Sequence, residues 1–189
     1  MEHTTMTTNT ETIIKNSHAD LKNEPSIYVA CLSAYNNGHL HGAWIVPSAD
    51  ADELQEQINK VLKSSPMDDA EEWAIHDYDG FPNLGEYPGL DKIIQVQEAI
   101  DEHGADVVQA FLENWSVEDL DHVGDAYYGK YDNFTEFAEQ LAHDIIEGLD
   151  DNSTLARYFN YEAWERDLSH DYHEGEASDG SSLIFNANW

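Results

Sequence analysis

Carboxylates are the reactive groups this chain offers in quantity: thirty-nine Asp and Glu, beside ten His and one Cys. Several arrangements of them could carry chemistry. Asp77-Tyr78-Asp79-Gly80 opens like a calcium loop, in which alternate acids supply oxygen ligands. The later ligands are missing, including the Glu that closes such a loop, so the stretch reads as a turn. His39 and His41 would share one face of a strand, and His170 and His173 stand near Asp171 and Glu174. Neither pair has a third ligand at metal-site spacing, which leaves surface histidines. Paired carboxylates could do acid–base work, but they are so abundant here that proximity of two carries no information. A phosphate-binding Gly-Lys-Ser/Thr loop and a Gly-x-Ser-x-Gly elbow are both absent from the sequence. Cys31 lies in an apolar run and reads as a buried thiol, in keeping with a reducing cytoplasm. No catalytic residue, metal or cofactor is expected, and the chain reads as a non-enzyme.

The charge points elsewhere. Eight Lys and Arg oppose the thirty-nine acids, leaving a formal net charge of −31. Self-repulsion of that size destabilises a compact state. It also repels phosphates, so direct binding to nucleic acid is excluded and the natural partner is basic. The imbalance is uneven. Residues 1–66 carry eight acids and four bases, a net of −4, whereas residues 67–189 carry thirty-one acids and four bases, a net of −27. Halophilic adaptation would acidify the whole chain, so it fits less well. Five Trp, ten Tyr and six Phe argue for a folded protein rather than an acidic coil. There is no signal-like N-terminus and no run of 18 apolar residues, so a cytoplasmic protein without membrane contact is expected.

The elements that must position these acids are short. Residues 1–24 read as a polar, disordered tail. Ser26 to Tyr35 suggests a strand, Asn36-Asn37-Gly38 a turn, and His39 to Val46 a returning strand. Asp50, with Glu53 three residues on, fits a capping box before a helix whose Leu54, Ile58, Val61 and Leu62 share a face. Glu71 to Tyr78 reads as a short helix or turn, and Phe81 to Gly89 as loop. Leu90 to His103 is a helix ended by Gly104. Val107–Trp115 and Val117–Val123 read as further helices, the second capped by Ser116. Tyr127 to Tyr131 suggests a strand, Phe134 to Glu147 a helix, and Leu155 to Leu168 a helix broken near Asn160. His170 to Gly180 reads as loop before a terminal strand, Ser181 to Trp189. Trp73, Trp115 and Trp164 fall on expected core faces. The fold class is α+β, an elongated chain of three small domains. These are an N-terminal hairpin and helix (25–66), a central helical domain (67–123) and a C-terminal α+β domain (124–189).

On such helices acids three or four residues apart are neighbours, about 5–6 Å between Cβ atoms, and repel by about 0.2–0.5 kcal/mol per pair. One such pair is an ordinary solvated face. The sum means more: duplex DNA carries one charge per about 1.7 Å of axis, so thirty-one charges match roughly 50 Å of duplex. The expected acidic surface comprises Asp68, Asp69, Glu71, Glu72, Glu98, Asp101, Glu102, Asp106, Glu113, Glu118, Asp119, Asp121, Asp125, Glu136 and Glu139.

Three blocks resemble a known family. Tyr28-Val29-Ala30 through Tyr35-Asn36-Asn37-Gly38-His39-Leu40-His41-Gly42-Ala43-Trp44 is similar to the opening of ArdA antirestriction proteins, as is Glu71-Glu72-Trp73-Ala74-Ile75-His76-Asp77-Tyr78. Leu155 to Leu168, with Tyr158, Tyr161 and Arg166-Asp167-Leu168, is similar to the family's C-terminal part. The resemblance spans about residues 26–189 and leaves out the tail. It implies an elongated homodimer of three-domain protomers, shaped like bent B-form DNA, that occupies the DNA groove of a type I restriction–modification enzyme, specifically its methyltransferase core. It implies carriage by mobile elements and dimer contacts in the C-terminal domain. It also implies an antirestriction motif at about 144–158, containing Asp144, Glu147, Asp150, Asp151, Leu155 and Tyr158. The rival readings are an acidic chaperone for basic proteins and a metal-dependent enzyme with a carboxylate cluster.

Overall fold

The computed structural model describes residue 21 and residues 24–150 and 152–189. The expected tail therefore lies almost wholly outside the described residues, as does Asp151. The described chain divides into two compact units on either side of the Ile94–Gln95 bond. It is mixed α+β, with seven α-helices and two three-stranded antiparallel sheets among the described residues.

The first unit is built on β1 (Ser26–Cys31), the middle strand of the order β2-β1-β3. Five of its six residues are buried, as a strand covered on both faces requires. β2 (Gly42–Ile45) pairs with it in the expected antiparallel sense, Tyr28 opposite Trp44 and Ala30 opposite Gly42. The connection differs from a simple turn. After Cys31 the chain winds into α1 (Leu32–Asn36), with Ala34 buried beneath it. Small Ser33 and Ala34 permit the coil, the Asn37 amide side chain donates to the Ser33 carbonyl at 2.8 Å, and Gly38 at φ 81° releases the chain.

α2 (Ala51–Lys63) begins where expected, with the Asp50 carboxylate accepting from the amides of Asp52 and Glu53 at 2.9 Å. Glu53 does not complete a reciprocal box; its carboxylate accepts from Ser48 Oγ, which in turn accepts from the Asp50 amide. Leu54, Ile58, Val61 and Leu62 form the buried face, worth about 1.5–3 kcal/mol for each large side chain fully buried.

The segment expected as helix or turn near Glu71–Tyr78 is instead β3 (Trp73–Asp79), paired with β1. A bulge explains why alternation was unreadable. Val29 lies opposite Ile75 and Tyr28 opposite Asp77, so His76 is an extra residue that shifts the faces. Ala74 and Ile75, paired in regular register with Ala30 and Val29 ahead of the bulge, are both buried.

α3 (Leu90–His103) ends at Gly104, φ 87°, whose amide closes the helix on the Ile100 carbonyl at 2.8 Å. The second unit then adds α4 (Ala105–Phe111), a 3-10 turn (Val117–His122), α5 (Val123–Ala126) and β4 (Tyr127–Tyr131). They are followed by α6 (Phe134–Ile145), α7 (Tyr161–Leu168), β5 (Tyr172–Glu176) and β6 (Ser182–Asn186). The break expected near Asn160 is real. Asn160 caps α7 by accepting from the Ala163 amide at 3.1 Å, and the residues before it form turns. The loop expected from His170 to Gly180 contains β5, which pairs with β6 across an Asp179-Gly180 turn.

The second sheet runs β4-β6-β5, with the central strand buried throughout Ser182–Phe185. Neighbouring residues on β6 face opposite ways. Ile184 joins Phe137, Ala138, Leu141 and Leu168, with Trp164 packed alongside and its indole N–H donating to the Ala138 carbonyl at 2.8 Å. Phe185 meets Phe111 and Trp115 from the α4 side, at ring separations of 6.1 and 6.0 Å.

The α4–β5 approach depends on a missing side chain: a Cβ at Gly175 would stand 2.5 Å from the Ala110 Cβ. Gly175→Ala should destabilise the protein by about 1–3 kcal/mol in urea unfolding. Ala110→Gly in the same chain should recover part of that loss, whereas an unchanged midpoint for the single variant would refute the contact.

Candidate functional site

Among the described residues the buried polar or charged ones are Ser26, Gln97 and Ser182, so every described Asp and Glu reaches solvent at least in part. The two units share the charge unequally. Counted over the sequence, residues 1–94 hold sixteen acids and five bases, a net of −11; residues 95–189 hold twenty-three acids and three bases, a net of −20.

Five of the expected surface acids converge. Glu98 and Glu102 come from α3, Glu118 and Asp121 from the 3-10 turn and Asp125 from α5, and together they line a groove of about 390 Å³. Helical spacing puts Glu98 and Glu102 one turn apart on one face. Ala99, Leu120 and Gly124 also line it, and neither Lys nor Arg is among its lining residues. Two imidazoles sit close by: His103 Nε2 is 3.9 Å from Glu102, and His122 Nδ1 is 3.6 Å from Asp125.

Other expected acids are committed to holding the fold. Asp106 accepts from both the amide and the hydroxyl of Ser178, at 3.1 and 2.8 Å. Asp119 accepts from the Ser116 hydroxyl at 2.7 Å and the Ser116 amide at 3.0 Å, and these bonds hold its carboxyl below the usual range. Asp101 accepts from the half-satisfied Gln97 amide, and Asp69 from Ser33. Glu136 accepts from the Asp132 amide at 2.7 Å. Exposed and outside the groove are Asp68, Glu71 and Glu72 of the first unit, and Glu113 and Glu139 of the second.

The segment resembling the antirestriction motif is not part of the groove lining. Asp144 is exposed near the end of α6, Glu147 and Asp150 are exposed beyond it, and Leu155 and Tyr158 lie in the turns before α7. Tyr158 is 82 % exposed and Leu155 42 %. β5 adds two exposed acids: Glu174, already noted beside His170 and His173, which accepts from the Ser182 hydroxyl, and Glu176, to which no sequence pattern points. The Asp179-Gly180 pair ahead of an apolar run was the signal for that hairpin.

The acidic field also acts on phenols. Burial first, then the charges of Tyr128, Asp144 and Glu136, push the Tyr131 hydroxyl above its ordinary value. Among the described residues no group of three or more His, Cys, Asp and Glu is placed to hold a metal ion, and no helix is long and apolar enough to cross a membrane.

Fold and surface together define an acidic α+β protein, built on two small antiparallel sheets with its carboxylates kept at the surface. The particular family is shown by the match of residues 27–181, most of the chain, to the profile described as antirestriction protein (ArdA). The chain belongs to the ArdA family, a family of inhibitor proteins, and membership implies antirestriction function. A comparison with curated proteins gave no match.

One cation anchors the second sheet. Lys130 of β4 donates to Asp179 at 2.7 Å, and Asp179 also accepts from Ser181. The Lys130 bond first, then the Ser181 bonds, hold the Asp179 carboxyl well below the usual range. A depressed native pKa contributes stability that is present above the unfolded value near 3.8 and is lost as pH falls through the native one. Asp179→Asn should therefore be less stable than the unaltered chain at neutral pH. The difference should shrink as titration proceeds below the ordinary carboxylate range, and a gap constant with pH would exclude the ion pair as its source.

Proposed function

We propose that this chain inhibits type I restriction–modification enzymes by competing, as an acidic mimic of B-form DNA, for their DNA groove. The observation that carries the reading is the convergence of five carboxylates from three elements on one groove lined by neither Lys nor Arg. Carboxylates stand in for phosphates and meet the Lys and Arg that line a DNA-binding channel. Phosphate contacts position a protein on DNA without reading its sequence. An inhibitor of enzymes with many recognition sequences needs that backbone pattern rather than base edges.

The same reading treats the protomer as an elongated chain of three small domains and the active species as a homodimer joined through the C-terminal domain. The protein works in the cytoplasm on behalf of incoming mobile DNA, and the methyltransferase core is the target. The motif residues Asp144, Glu147, Asp150, Asp151, Leu155 and Tyr158 add both charge and apolar contact area. The acids are numerous and individually replaceable, so the mechanism is additive.

A titration tests it. The protein is added to a type I methyltransferase core bound to fluorescent duplex DNA, at two salt concentrations. Single changes among Glu98→Gln, Glu102→Gln, Glu118→Gln, Asp121→Asn and Asp125→Asn should alter displacement little, whereas combining all five should weaken it progressively. Screening makes the unaltered protein less potent at higher salt. A single amide change that abolished inhibition would overturn the additive mechanism. Equal binding to histone-like basic proteins would favour an acidic chaperone instead.

A further inference from the structure

The groove's far wall is a weak piece of structure. The 3-10 turn Val117–His122 has poorer hydrogen-bond geometry than an α-helix, and α5 is only four residues long. Four carboxylates sit on this stretch, at Glu118, Asp119, Asp121 and Asp125, and repel one another. Leu120 and Val123 pin it from below, and at its N-terminal end Asp119 is tied to Ser116. The C-terminal end is clamped differently. His122 stacks on the indole of Trp189, with centroids 4.4 Å apart and planes 25° apart.

Trp189 is itself set by a chain of rings. It meets Trp115 at 6.2 Å, and Trp115 stacks on Phe111 at 4.6 Å and meets the fully buried Phe185 at 6.0 Å. The backbone after β6 is tied down as well. The Ala187 amide donates to the Asp171 carbonyl at 2.8 Å, and the Asn188 amide to its neighbour's side chain, Asn186 Oδ1, at 2.8 Å.

We propose that Trp189 is a positioning residue for the acidic groove: through its stack on His122 it holds Glu118, Asp121 and Asp125 in the arrangement a basic partner meets. The inference rests on the DNA-mimic reading above and adds an uncharged residue to it. Trp189 brings no cation of its own to the groove, while its partner His122 also faces Asp125 at 3.6 Å.

The experiment is the same displacement titration with the full chain, below the unfolding temperature of every variant used. Trp189→Ala removes no charge, yet it should weaken displacement about two- to tenfold, the factor one aromatic pair commands. The salt dependence should fall with it, because fewer carboxylates engage in register. Trp189→Phe should restore most of the potency. His122→Ala should show the same loss, and the double variant should be no worse than either single one, as expected of two groups acting as a pair. Full potency in both single variants, or losses that simply add, would overturn the proposal. Should Trp189→Ala fail to fold, His122→Ala at its half-exposed position decides alone: unchanged potency overturns the clamp, and a loss with reduced salt dependence supports it. The five-amide variant separates the two ideas. Retained inhibition there defeats the mimic itself, whereas its loss beside an unaffected Trp189→Ala defeats the clamp alone.

Discussion

Like-charge repulsion is the constraint the rest of this structure answers to. Residues 95–189 set twenty-three carboxylates against three bases, so ion pairing cannot be the main cohesive force. Cohesion comes from rings instead. Phe137 gathers Tyr128, Tyr131, Phe134 and Tyr172 within 5.5 Å between centroids, and Phe185 gathers Phe111, Trp115 and Tyr127 within about 6 Å. Aromatic side chains bury large areas and pack edge to face, which supplies apolar stabilisation from few residues. A small three-stranded sheet can therefore hold together while its surface is given over to one sign of charge.

The same constraint sorts the acids. A carboxylate that accepts a hydrogen bond from a backbone amide or a hydroxyl is partly neutralised by the donor's dipole, and its charge then costs the fold less. Asp50, Asp106, Asp119 and Asp179 are of this kind, each at a helix end or a turn where amides lack backbone partners. Glu98, Glu118, Asp121 and Asp125 line an open groove.

Most helices were legible because their signals are local. The Asp50 cap, the Leu54–Ile58–Val61 face, the Gly104 stop and the Asn160 break each lie within a turn or two of sequence. The strands β3 and β5 were not, for different reasons. The bulge at His76 destroys the alternation that marks a strand, and β5 carries Glu and His on an edge where only Gly175 is buried. The groove was legible as a set of acids but not as a site. Its two walls lie fourteen or more residues apart in sequence and meet only through tertiary packing. Nothing in the local pattern separates Glu118, which lines the groove, from Asp119, which caps its own turn.

A surface that works by summed charge tolerates loss of single groups but is sensitive to their spacing, because Coulomb attraction falls with distance and is screened within about 10 Å at 0.1 M salt. Selection on such a surface therefore acts on two different things. Any acid can drift between Asp and Glu or move by one position on a helix face with little consequence. The elements that keep the acids from spreading apart under their own repulsion have no such freedom. In this chain Leu120 and Val123 are buried beneath the 3-10 turn, Asp119 ties its N-terminal end to Ser116, and Gly175 fits closely against Ala110.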